Sequence, residues 1–232
     1  MIRRMAIILL SLAAAFVAAA EEYTDAAAHF RLTIPEGWEK SINPEQEIAL
    51  LVISPRAEET LGFCMIQSSP LPGTDTLTQE EIDESLAGHF DKPFWEGALK
   101  EAGMKDAAIE TTGEEKQNRR NTYFAVASYA DGDRRIKLKV VSHFVPGRAQ
   151  SLYCVAYAEG YAREDADFET VFDSFTPLDG GLVAGRNPRS PSATLGTMKG
   201  AFDPRVMRNT TAEGSRAVRT FVRARRSLTR RR

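Results

Sequence analysis

Residues 122–158 read TYFAVASYADGDRRIKLKVVSHFVPGRAQSLYCVAYA, and their pattern decides the fold. In residues 135–145, Ile136, Leu138 and Val140 point one way and Lys137 and Lys139 the other, the period-2 signature of a strand with two different faces. Residues 122–129 and 150–158 are strand-length runs rich in aromatic and small apolar side chains. Asp131-Gly132 separates the first run from the second, and Pro146-Gly147 separates the second from the third. Both dipeptides are turn formers, and Asp-Gly is among the strongest short hairpin signals. The stretch is therefore an antiparallel meander.

Upstream, residues 29–34 (HFRLTI) alternate, with Phe30, Leu32 and Ile34 on one side, and Pro35-Glu36-Gly37 closes them as a turn before Trp38. Residues 48–54 (IALLVIS) and 62–67 (GFCMIQ) are two more strands. Thr78 with Glu81 three residues on is a capping box opening a helix. Its buried stripe is Ile82, Leu86 and Phe90; Pro93 interrupts it, and Phe94, Leu99 and Met104 continue the apolar surface. Residues 107–115 read as a weak edge strand. Downstream, residues 164–175 carry Phe168, Val171, Phe172 and Phe175 at helical spacing, a closing helix that stops before Pro177. Strands, helix, three or four antiparallel strands and a last helix predict an α+β domain: an antiparallel sheet with helices packed on it.

The whole chain has 232 residues, 43% hydrophobic and 27% charged, with 2 Cys, which excludes collagen-like, disulfide-dense and polytopic membrane classes. Its net charge of -2 averages three unlike segments. Residues 1–20 carry Arg3 and Arg4 ahead of an apolar run, and Ala18-Ala19-Ala20 precedes Glu21, so they read as a secretory signal peptide cleaved after Ala20. Residues 21–180 hold 15 basic against 30 acidic side chains, a balance of -15. Residues 181–232 hold 13 against 2, a balance of +11. This last segment is rich in Gly, Ser, Pro and Arg and is expected to be a disordered basic C-terminal tail. Within 214–232, Val218, Phe221, Val222 and Leu228 share one helical face, with Arg219, Arg223 and Arg226 largely on others. That is the pattern of helices that lie on anionic membranes, and a solvated arginine-rich tail is the plainer reading.

FRLTIPEGW at 30–38, the long meander, and LYCVAYAEGYAREDADFETVFDSFTP at 152–177 together resemble the Mog1/PsbP-like family of α/β/α sandwiches. Pro35-Glu36-Gly37-Trp38 matches that family's turn after the first strand, and Ser174-Phe175 matches the end of its final helix. The likeness spans residues 23–178 and none of the tail. It implies a binding module more than an enzyme, in a family that includes photosystem II extrinsic subunits, a nuclear import factor and exported bacterial proteins. It carries no catalytic signature to transfer.

The candidate chemistry is sparse. Cys64 and Cys154 lie on strands of an exported chain, where an even count favours a disulfide; two buried thiols are the alternative, and the choice turns on whether the Cα atoms lie within about 7 Å. His29 and His143 fall on strands and His89 in a helix, none at metal-ligand spacing, and no nucleophile or phosphate-loop motif occurs. Glu80, Glu81, Asp83 and Glu84 begin one helix and Glu164, Asp165 and Asp167 the other, where acids favour the helix dipole. Trp38, Phe94, Trp95 and Tyr161 are the large aromatics nearest loops: a partner-binding rim, or residues that close the core.

These features predict an exported, periplasmic binding module without cofactor or catalytic site, engaging a protein partner in the cell envelope through an acidic face. A domain at -15 disfavours nucleic acid. Two alternatives stand beside that reading. The basic tail could tether the protein to anionic lipid or fold over its own acidic domain, or the chain could be a hydrolase without a recognisable motif.

Overall fold

The computed structural model describes residues 19–42, 48–101, 104, 106–117 and 120–178. The signal peptide expected over 1–20, save its last two residues, lies outside these, as does the tail, including Arg219, Phe221, Val222, Arg223, Arg226 and Leu228.

The meander forms as read. β7 (Arg120–Asp131), β8 (Arg134–Val145) and β9 (Arg148–Tyr157) pair antiparallel, with Gly132 (φ 63°) and Gly147 (φ 78°) supplying the left-handed turn positions between them. β9 then pairs with β5 (Phe63–Pro70), β5 with β4 (Ile48–Ile53) and β4 with the short β3 (Glu39–Ser41). β6 (Ala108–Gln117) pairs with β7, so the large sheet has seven strands in the order β3-β4-β5-β9-β8-β7-β6, with β6 at one edge as expected. A second sheet joins β1 (Glu21–Asp25), β2 (Phe30–Ile34) and the two-residue β10 (Thr176–Pro177) in the order β1-β2-β10.

Both faces of the large sheet are covered, which explains why β4 reads as one unbroken apolar run. On one face Ile53, Phe63, Met65, Leu138, Val140, Tyr153 and Val155 meet the helices α2 (Gln79–Leu86) and α3 (Lys92–Glu101) through Ile82, Leu86, Trp95 and Leu99. On the other, Leu50, Val52, Cys64, Ile66, Leu152 and Cys154 meet the small sheet and α4 (Tyr161–Ser174) through Phe30, Leu32, Ile34, Phe168, Val171 and Phe172. Each such buried side chain contributes roughly 1.5–3 kcal/mol relative to exposure. A four-residue helix, α1 (Ala57–Thr60), links β4 to β5.

The capping box is present: Thr78 accepts from the Glu81 amide, and the Glu81 side chain accepts from the Thr78 amide at 2.8 Å. The interruption after it is misplaced in the sequence reading. α2 ends at Leu86, and Gly88 (φ 71°) turns the chain, whereas Pro93 sits in the first turn of α3, where its missing N–H costs nothing. His89 accordingly lies in the connection, not in a helix. His29 also leaves its expected strand; it occupies a turn with φ 59°. α4 begins at Tyr161, one turn earlier than residues 164–175 suggest.

Candidate functional site

The turn at Pro35-Glu36-Gly37-Trp38 works as a positioning device. Gly37 takes φ 75°, the Trp38 amide donates to the Pro35 carbonyl at 3.2 Å, and the indole is thereby laid on α4. Its ring stands edge-on to Phe168 at 6.0 Å, and Nε1 donates to Asp167 Oδ2 at 3.3 Å. At the far end of α4, Ser174 Oγ accepts from the Thr33 amide of β2 at 2.8 Å, and Phe175 packs on Phe30. Both family-like motifs therefore do the same job, clamping the small sheet and the last helix to each other.

Beside Trp38 lies the most concentrated polar group of the described residues. Glu164 is fully buried, although three of its neighbours in the sequence are polar or charged. Ser54 Oγ donates to its carboxylate at 2.9 and 3.1 Å, Thr60 Oγ1 lies 2.6 Å from Oε1, and Arg56 donates from Nη2 at 2.8 Å and from Nε at 3.3 Å. Arg56 also pairs with Asp167. The guanidinium is held protonated beyond its ordinary range, first by its hydrogen bond to Glu164 and against the opposing effect of burial. Both oxygens of the Glu164 carboxylate accept hydrogen bonds, and Arg56 is shared between Glu164 and Asp167. These bonds brace residues 54–62 to the head of α4.

A second polar island sits under the small sheet. His143 is buried on β8, edge-on to Phe175 at 5.2 Å, with Nδ1 3.4 Å from Thr122 Oγ1. Desolvation, and then the charge of Arg120, push its pKa down to about 4, so the ring is neutral at neutral pH. Its cross-strand neighbour Gln150 donates to the Ala28 and His29 carbonyls at 2.7 and 2.8 Å, tethering the turn before β2. No cluster of three His, Cys, Asp or Glu that would hold a metal occurs among the described residues.

Cys64 and Cys154 face each other across β5 and β9, with Cα atoms 4.1 Å apart and the sulfurs bonded. The four rim aromatics do not come together. Trp38 and Tyr161 pack on Phe168 in one core; Trp95 is fully buried and Phe94 half-buried in the core on the opposite face of the sheet. The rim reading is thereby corrected: the rings fill two interiors, because each follows an apolar stripe that the sheet covers. Among the described residues, Ile42 is the large apolar side chain that stays exposed. The surface is instead acidic, with Glu58 and Glu59 on α1, Glu80, Glu81 and Glu84 on α2, and Glu110, Glu114 and Glu115 along β6 all exposed.

The role of Glu164 is the feature sequence reading misses, since it counts that residue among the solvated acids of a helix start. A signal was available. Tyr161, Glu164, Phe168, Val171 and Phe172 share one helical stripe, and an acid on an apolar stripe is buried and must be paired.

No sequence-family model and no curated protein matches the chain. Among solved structures, it is similar to the cyanobacterial PsbP (CyanoP) of Synechocystis, with a TM-score of 0.50 at 14% identity over 73% of this chain and 99% of that one. It is also similar to LpqN of Mycobacterium tuberculosis, a protein involved in cell envelope biogenesis, with a TM-score of 0.48 at 9% identity over 64% of this chain and 83% of that one. The order of the elements and the CyanoP likeness give the same result: the chain has the Mog1/PsbP-like α/β/α sandwich fold.

Proposed function

We propose that this protein is an exported, non-enzymatic binding module of the cell envelope that engages a protein partner in the periplasm through its acidic surface. The observation that carries the reading is the combination of a -15 balance over residues 21–180 with a surface from which the large aromatics have been withdrawn. A partner recognised by such a surface is cationic, and its capture is led by charge rather than by an aromatic anchor. The best-connected polar group, around Glu164, serves as a brace, which agrees with a role in binding rather than turnover.

The test is crosslinking of the full chain in a native envelope fraction, beside the variants E80K/E84K and E114K/E115K. Capture of one cationic protein, reduced at least tenfold in one of the two variants, is the expected result. Equal capture by wild type and both variants, or hydrolysis of a generic ester or peptide substrate by the purified chain, removes the reading.

A further inference from the structure

The outer edge of β6 is paired with no strand among the described residues, although β6 runs for ten residues, Ala108–Gln117. Such an edge presents backbone N–H and C=O groups and is a template for an added strand. Its side chains select what can add. Glu114 and Glu115 are exposed, and Glu110, also exposed, pairs with Lys137 at 2.9 Å. A second copy is disfavoured: antiparallel self-pairing centred between Thr112 and Gly113 sets Glu110 opposite Glu115 twice over, and like charges directly opposite destabilise a ladder. A basic strand meets no such repulsion.

The described chain ends beside this edge. The Pro177 carbonyl accepts from Arg120 Nη1 at 2.8 Å, and Arg120 is the register partner of Gln117, the last residue of β6. Gln117 Nε2 in turn donates to the Phe172 and Asp173 carbonyls at the end of α4, at 3.0 and 3.1 Å. The chain past Leu178 therefore departs from the C-terminal end of β6, the end at which a strand running antiparallel to β6 begins.

We propose that residues 218–225, VRTFVRAR, add to the outer edge of β6 as an antiparallel strand, so that the basic tail covers the acidic edge of its own domain. This segment alternates Val218, Thr220, Val222 and Ala224 with Arg219, Phe221, Arg223 and Arg225, a period of two that fits a strand. In the register that sets Arg219 opposite Glu115, Arg223 and Arg225 follow on the same face of the added strand, toward Glu110. The 39 residues from 179 to 217 span up to about 3.3 Å each, far beyond the length of β6, so the tether reaches without strain. Because the segment is tethered, pairing needs only the modest affinity of an intramolecular contact. The edge is then closed to other partners until the tail is displaced.

The test is amide hydrogen exchange on the full chain, read for peptides covering residues 111–117. The substitutions R219E/R223E lie outside the described residues and change none of the core side chains named above. Wild-type edge amides are expected to exchange at least tenfold more slowly than those of R219E/R223E, with 0.5 M salt moving wild type toward the variant. Combining E115R with R219E is expected to restore the protection that either substitution alone removes. Equal exchange in wild type and R219E/R223E overturns the proposal, as does protection that rises with protein concentration, which marks a second copy at the edge. This readout involves no partner, so its failure is separate from a failure of envelope capture.

Discussion

At Gly62 an added Cβ would sit 2.7 Å from both Cδ and Oε1 of Glu164. The end of a glutamate side chain usually gives way to such an intrusion. Here it cannot, because Ser54, Thr60 and Arg56 fix the carboxylate in a fully buried place. Gly62→Ala is therefore expected to lower stability by about 2–4 kcal/mol, the range of overpacking joined to a damaged buried pair. Glu164→Ala is expected to cost about 1–3 kcal/mol, since it takes the shared acceptor from the buried Ser54 and Thr60 hydroxyls, while the partly exposed Arg56 keeps Asp167. The two share one cause, so their costs must not add: in the E164A background, Gly62→Ala should cost less than half of what it costs alone. Denaturant midpoints of the four proteins decide this, and full additivity would refute the coupling. None of this could be read from the sequence around Gly62, because its partner lies about a hundred positions away. The stripe position of Glu164 announced burial without naming the groups that satisfy it.

The elements most legible in the sequence were those whose side chains alternate or repeat across a buried face: β2, β4, β5, the three strands of the meander, α2 and α4, with β6 readable only as a weak edge. β1 and β3 escaped because EEYTD and EKS bury almost nothing, and their strand state is imposed by pairing with β2 and β4. β10 is two residues that pair with β2 after α4 has placed them there. α1 is a single turn closed by Leu61 at φ 60°, too short to show a period. The pairing of β5 with β9 joins strands about ninety positions apart, and it is this register that sets Cys64 opposite Cys154. A crosslink closing a loop of that size stabilises by about 4–5 kcal/mol through the entropy of the unfolded chain. C64A/C154A is accordingly expected to melt on the order of 10 °C lower than wild type. Wild type unfolded in denaturant should show no free thiol until a reductant is added, and then two. A pair of thiols before reduction would mean that the strands meet without the bond.

Across the whole molecule, two layers close on one sheet, and the layer formed by β1, β2, β10 and α4 covers a buried histidine that tolerates protonation poorly. His143 lies beneath it, and burial together with Arg120 holds its pKa at about 4, below the 6.5 of a free imidazole. The unfolded chain therefore binds a proton between those two values that the folded chain refuses. Its contribution is complete above pH 6.5, declines as the pH falls through that window, and is spent below pH 4, about 3 kcal/mol in all. Carboxylates titrate mostly at the lower end of the window, so the decline between pH 6.5 and 5 isolates the histidine. His143→Gln keeps a polar side chain beside Thr122 and has nothing to titrate. The expected outcome is that wild-type unfolding free energy falls by about 1–2 kcal/mol between pH 6.5 and 5, while the variant stays nearly flat over that interval. Equal slopes in the two proteins would mean that His143 takes up its proton in the folded state as readily as in the unfolded one, and that the small sheet does not exclude water from it.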